Sequence, residues 1–136
     1  MEKKSVLFLL TPKTTVACLN TGMNVRQALE KMRAHRYTAI PLITAEGEYV
    51  GTVSEGDLLW HIVSNHEISL EDLKDHKLVD LPRHSDVPPV KVDADIEDLI
   101  EQIVNHNFVP VVDDRRVLMG IVTRRKVMQE LFKKTE

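Results

Sequence analysis

Apolar residues recur along this chain with two different periods, and the same succession of periods runs twice. Val25, Ala28, Leu29 and Met32 stand at i, i+3, i+4 and i+7, one face of a helix. Asn24 precedes them and Gln27 follows it by three residues, the pattern of a capping box. A short apolar run at about 38–43 comes next, then the polar Ala45-Glu46-Gly47-Glu48, then Tyr49 to Val53. Two apolar runs around a polar turn predict an antiparallel pair of strands. Ser54 then stands where a second helix should begin, running into Asp57-Leu58-Leu59-Trp60-His61-Ile62-Val63. Further along, Ile96, Leu99, Ile100 and Ile103 repeat the helical stripe behind Asp95, the expected cap. Residues 108–112, the turn Asp113-Asp114-Arg115-Arg116 and the run Val117 to Val122 repeat the strand pair. Thr123 opens the last helix, through Lys126-Val127-Met128-Gln129-Glu130-Leu131-Phe132. Val16 to Leu19 and Val90 to Val92 precede the two sets and supply a third strand to each.

The match is one of register as well as order. Pro41, Gly51, Ser54 and Asp57 recur as Pro110, Gly120, Thr123 and Lys126, at a constant offset of 69. The helical stripes are offset by 71, so the second copy lacks two residues, a deletion expected in the loop between helix and strand. A duplicated segment makes the fold one supersecondary unit placed beside its copy. A half of about 60 residues with three short strands buries too little apolar surface alone. The expected fold is therefore α+β, with tandem β-α-β-β-α repeats in a single pair over residues 1–136. Repeat one covers about 8–63, a linker about 64–89 and repeat two about 90–133. Within the linker, Ser69-Leu70-Glu71-Asp72-Leu73 reads as a capped helical turn, and Pro82, Pro88 and Pro89 stop regular structure.

Composition narrows the function more than the fold. Hydrophobic content of 43% and charged content of 29% are ordinary for a soluble globular chain. A net charge of −3 gives no bulk electrostatic case for nucleic acid or an anionic membrane. The run Val6-Leu7-Phe8-Leu9-Leu10 is too short to span a bilayer and has no small-residue cleavage pattern behind it. The single Cys18 excludes an intrachain disulfide and fits a reducing, cytoplasmic location, where it serves as a small apolar residue. His35, His61, His66, His76, His84 and His106 are scattered without metal-ligand spacing, which predicts surface or loop histidines and no metal. No nucleophile and base can be paired from the sequence, so nothing points to an enzyme.

Three segments together carry a family resemblance: Ala28-Leu29-Glu30-Lys31-Met32, Tyr37-Thr38-Ala39-Ile40-Pro41 and Gly51-Thr52-Val53-Ser54-Glu55-Gly56-Asp57-Leu58-Leu59. The second copy keeps the frame and closes with Gly120-Ile121-Val122-Thr123-Arg124-Arg125-Lys126. In this order and register, over about residues 8–133, the chain resembles the tandem CBS domain pair, or Bateman module. The resemblance implies two repeats about a pseudo-twofold axis. It also implies clefts between them for an adenosine-containing ligand, most often AMP, ADP, ATP or S-adenosylmethionine. It implies homodimers formed through the helices, and a regulatory role with no chemistry and no required cofactor.

The resemblance also assigns residues. The Asp of Ser54-x-x-Asp57 would accept ribose hydroxyls and the Ser would contact phosphate. A carboxylate and free N–H groups at a helix start suit both tasks. The same four residues also form a capping box that needs no ligand. Thr38 and Asn107, three residues before the repeated proline, would face the ligand, and Ala39, Ile40 and Pro41 would flank adenine. The second copy departs from the family pattern at Thr123-Arg124-Arg125-Lys126, because a lysine cannot accept hydroxyl hydrogen bonds. Either that cleft is structural, or Arg124, Arg125 and Lys126 supply positive charge to phosphates. A solvated basic surface is the plain alternative. Apolar residues of the two second helices, with Trp60, divide between core and a dimer face. A constitutive interaction module without nucleotide is the competing function.

Overall fold

The structure, a computed structural model, describes residues 5–64, 69, 71–83 and 86–133. His66, Leu70 and His84 lie outside the described residues. The strands are β1 (Thr11–Pro12), β2 (Leu19–Asn20), β3 (Ala39–Ile43), β4 (Tyr49–Ser54), β5 (Val90–Lys91), β6 (Phe108–Val112) and β7 (Leu118–Thr123). The α-helices are α1 (Val25–His35), α2 (Glu55–Ser64), α3 (Ile96–Ile103) and α4 (Arg124–Lys133). The chain is thus a mixed α+β fold in which each repeat runs β-α-β-β-α, as the sequence predicts.

Ala17–Asp86 forms one compact unit, and Met1–Val16 with Val87–Glu136 forms the other. The spatial units and the sequence repeats therefore have different boundaries. Residues 8–16, read above as the start of repeat one, pack with repeat two, and the described linker residues 72–83 and Asp86 pack with repeat one. The sheets show why. β7 is paired on one side with β6 and on the other with β1, giving the order β1-β7-β6-β5. In the other unit the order is β2-β3-β4, with β2 parallel and β4 antiparallel to β3. No strand covers β4 among the described residues; instead Asp86 Oδ1 accepts the Thr52 N–H at 3.1 Å and the Arg83 Nε–H at 2.9 Å.

The repeated glycines mark these crossings. A methyl group on Gly51 would fall 2.7 Å from Asp86 Oδ1 and 2.8 Å from Arg83 Nε, and one on Gly120 would overlap the Thr11 carbonyl oxygen. Both positions need a missing side chain for close approach, not for a left-handed backbone. The hairpin turns agree as closely. Thr44 N–H donates to Glu48 O at 2.9 Å, and Asp113 N–H to Val117 O at 3.0 Å. Gly47 (φ 88°) and Arg116 (φ 67°) hold the same left-handed position of the turn. The β3–β4 and β6–β7 ladders slip at one equivalent step, Leu42/Ile43 and Val111/Val112.

The predicted stripes become the cores. Val25, Ala28 and Met32 are buried with Leu19, Ile40, Leu42, Val53 and Leu58, and Leu29 packs beside them. Leu73, Leu78 and Leu81, from the linker, complete that cluster. Leu99 and Ile103 are buried with Val6, Leu9, Val109, Val111, Val122 and Val127 in the other. The expected box at α1 is present: Gln27 N–H donates to Asn24 Oδ1 at 2.8 Å, and Asn24 N–H to Gln27 Oε1 at 2.9 Å. One expectation is corrected. The two-residue deletion shortens the helix instead of the loop, since α3 has 8 residues where α1 has 11.

Candidate functional site

The start of α2 gathers the candidates of the first unit. Ala39 pairs with Ser54 across the β3–β4 ladder. One residue earlier, the Thr38 carbonyl accepts the Glu55 N–H at 2.9 Å, which brings the ends of strand and helix together. Ser54 and Asp57 then bond reciprocally: Ser54 N–H to Asp57 Oδ2 at 2.9 Å, and Asp57 N–H to Ser54 Oγ at 3.1 Å. Asp57 is only 2% exposed. A carboxylate survives such burial when hydrogen bonds compensate its lost hydration. Glu55 and Asp57 also place negative charge in the first turn of α2, where the helix dipole favours it. Thr38 is exposed and Ala39 half-buried, whereas Ile40 and Pro41 are buried in the sheet. Of the adenine-flanking set, Thr38 and Ala39 reach the surface, and Ile40 serves the core of its unit.

The second unit repeats the frame with different chemistry. Phe108 pairs with Thr123, and the Asn107 carbonyl accepts the Arg124 N–H at 2.8 Å. Lys126 N–H donates to Thr123 Oγ1 at 3.1 Å, matching half of the Ser54–Asp57 exchange. Lys126 cannot return the bond, because an ammonium has no acceptor. Arg124 is used locally: its Nε–H donates to the Ile103 carbonyl at 2.9 Å and its Nη2–H to the Val104 carbonyl at 3.3 Å. These carbonyls end the shortened α3, so Arg124 caps a helix C-terminus, where a cation is favoured. Arg125 is exposed and Lys126 half-buried. Asn107, Thr123, Arg124 and Lys126 thus assemble in one unit, and Thr38, Ala39, Ser54 and Asp57 in the other.

Sequence reasoning missed the Arg124 cap and the Arg83–Asp86 clasp over Gly51. The shorter stripe of the second copy is the available signal for the cap; nothing in the sequence ties Asp86 to Thr52. Among the histidines, His61 Nε2 and His76 Nδ1 lie 2.8 Å apart. Burial and the neighbouring His76 hold His61 below the usual histidine range. No group of three potential metal ligands occurs among the described residues. No helix among them is long and apolar enough to cross a membrane.

The profile of the CBS domain matches residues 9–64 and again 78–133. The chain belongs to the CBS-domain family. It is 30% identical over 118 residues to cyclic di-AMP receptor B of Bacillus subtilis, spanning 87% of this chain and 80% of that protein. Its fold matches the Listeria monocytogenes CbpB protein in complex with c-di-AMP at a TM-score of 0.84 and 28% identity, over 96% of each chain. It also matches CBSX2 in complex with AMP at a TM-score of 0.78 and 25% identity, over 97% of this chain and 98% of the other. The predicted tandem of CBS repeats is the fold observed, and the similar proteins just named include a c-di-AMP receptor and complexes with c-di-AMP and AMP.

Proposed function

We propose that this CBS pair is a regulatory module that binds an adenosine-containing nucleotide at the Thr38–Ser54–Asp57 corner and carries out no chemistry. The observation that carries the reading is the geometry of that corner. A buried carboxylate, a hydroxyl and the N-terminus of α2 stand beside an exposed threonine, acceptors for ribose and donors for phosphate at one point. The cap and the ligand role are compatible in kind, since a carboxylate has about four acceptor directions and can take more than one donor. The ligands named for the similar proteins, c-di-AMP and AMP, are adenine nucleotides with phosphate. That ranks them ahead of S-adenosylmethionine, which has none. Regulation follows if the ligand binds one arrangement of the protein better than another.

Both second helices leave apolar residues exposed at equivalent positions, Leu59 and Val63 on α2, Met128 and Phe132 on α4. This supports a homodimer, and a monomeric mass in solution at micromolar concentration would remove that part. The function is tested by thermal unfolding with c-di-AMP, AMP, ADP, ATP and GTP at millimolar concentration. A ligand at a hundredfold excess over Kd adds about 2.7 kcal/mol, or about 10 °C in Tm for a domain of this size. Thr38→Val, at an exposed position, should reduce the shift without lowering the ligand-free Tm. A second reading has its own support. The reciprocal Ser54–Asp57 bonds and the burial of Asp57 suit a helix cap serving a constitutive interaction module. Absence of a shift with every nucleotide, together with stable folding, would favour it.

A further inference from the structure

The linker of the first unit is fastened to both helices through one residue, His76. The His76 carbonyl accepts the Val25 N–H at 2.9 Å, and two residues on the Leu78 N–H donates to the Met23 carbonyl at 3.0 Å. Asn24 and Lys77 face each other between those bonds as an antiparallel bridge. The start of α1 is thus paired with the linker, and Leu73 and Leu78, on either side of His76, are fully buried in the core of the unit. The His76 side chain makes the other tie. Its Nδ1 lies 2.8 Å from Nε2 of His61, on α2.

The two imidazoles are half-buried, with ring centres 4.9 Å apart and planes at 76°. That is close to the greatest separation of centres that a 2.8 Å contact between ring nitrogens permits, so each nitrogen points at the other and one proton lies between them. Two lone pairs converging on a metal ion would draw the rings closer. A neutral pair shares one N–H, one ring donating and the other accepting. With one extra proton the bond persists, an imidazolium donating to an imidazole. With two, both nitrogens are donors, the bond is lost and two positive charges face each other. The charged groups on the surrounding elements are occupied or exposed. On α2, Asp57 stands four residues before His61 and accepts the Ser54 N–H. On α1, Arg26 is bonded to Glu30 and to Glu71, Lys31 donates to the Cys18 carbonyl, and Arg33 is exposed. On the linker, Lys74 is bonded to Glu71, and Asp72, Asp75, Lys77 and Asp80 are exposed.

We propose that the His61–His76 pair is a proton-sensitive latch, which in acid releases the linker from α2 and from the start of α1 before the sheet of the same unit opens. Nucleotide plays no part in it. Burial and the charge of His76 both act against protonation of His61. The closed latch is therefore favoured above the ordinary histidine range, near pH 6.5, and opening grows as pH falls below it. The step that matters is the lower of the two belonging to the pair, since the first proton leaves the bond intact.

Hydrogen exchange of the full chain, read amide by amide by NMR at about pH 7.5 and about pH 5 and corrected for the intrinsic rate, tests the latch on either side of the histidine range. The Val25 and Leu78 amides report the linker, and the β3–β4 amides report the sheet. Protection of Val25 and Leu78 should drop between the two conditions by at least about fivefold more than that of β3–β4, the scale of one lost hydrogen bond. His61→Gln and His76→Asn each put an uncharged amide near the place of the ring nitrogen. Each should remove the extra drop, and circular dichroism at the higher pH identifies the variants that keep the fold. An equal drop in linker and sheet, no drop at Val25 and Leu78, or an extra drop that persists in a folded variant would overturn the proposal.

Discussion

Replacing Gly120 by alanine should damage this fold far more than the same change at Gly51, although the two occupy one position of the repeat. The added methyl group at Gly120 overlaps the Thr11 carbonyl oxygen and comes within 2.9 Å of Leu10 Cδ1. A backbone oxygen in a strand pair cannot turn aside, so β1 must move off β7. Forced overpacking alone costs about 1–3 kcal/mol. The segment that moves also carries Val6 and Leu9, 0% and 2% exposed, and full burial of such side chains is worth about 1.5–3 kcal/mol each. The expected loss is therefore about 3 kcal/mol or more. At Gly51 the obstacles are the ends of Arg83 and Asp86, which rotate away and give up the bond to Thr52 N. That loss is about 1 kcal/mol. At roughly 4 °C per kcal/mol for a chain of this length, Tm falls by about 12 °C or more for Gly120→Ala and about 4 °C for Gly51→Ala. Thermal unfolding by circular dichroism reads both, and hydrogen exchange should show the amides of β7 losing protection only in Gly120→Ala. Equal losses, or a larger one at Gly51, would refute the account of why the glycines repeat.

Other outcomes follow from the same comparison of units. Lys126→Asp should restore the reciprocal bond to Thr123 N and place an anion in the first turn of α4, raising stability by about 1 kcal/mol in chemical denaturation; an unchanged or lower value contradicts the cap analysis. Arg116→Gly relieves a left-handed residue that Gly47 occupies freely in the other turn, so Tm should rise by a few degrees, for about 1 kcal/mol. His61 is held below its ordinary range by burial and by His76, so the unfolded chain binds the proton more readily. Stability should be level above pH 7, then fall as pH drops through about 6.5. His61→Gln should flatten that slope, and an unaltered slope would assign it elsewhere.

How much was legible depends on whether a feature is periodic or long-range. The stripes at Val25–Met32 and Ile96–Ile103, the hairpins and the Ser54–Asp57 frame could be read because they are local patterns, and their repetition excluded chance. The boundaries of the two spatial units could not. That β1 pairs with β7, and that Asp86 reaches Thr52, are contacts between segments far apart in sequence, set by tertiary packing and unsupported by any local propensity. The position of the deletion was misjudged because a loop tolerates loss more readily than a helix. Here Arg124 compensates by accepting the role of the missing turn. Arg124 shows a further limit: its charge suggested phosphate, whereas its reach to two carbonyls is visible only in three dimensions. Asp57 remained double-edged in the sequence because the residue that caps a helix and the residue that holds ribose need the same carboxylate at the same place.

Calorimetric titration of c-di-AMP and AMP into the wild type and into Asp57→Asn tests the central claim most directly. Asparagine keeps an acceptor for the Ser54 N–H and removes the charge, so the helix cap survives while the ribose partner is weakened. The account predicts saturable binding of at least one of these nucleotides to the wild type, with Kd raised about tenfold or more in Asp57→Asn, a loss of about 1.4 kcal/mol. Saturable binding that Asp57→Asn leaves unchanged, or no binding by a fully folded wild type at millimolar ligand, would contradict it.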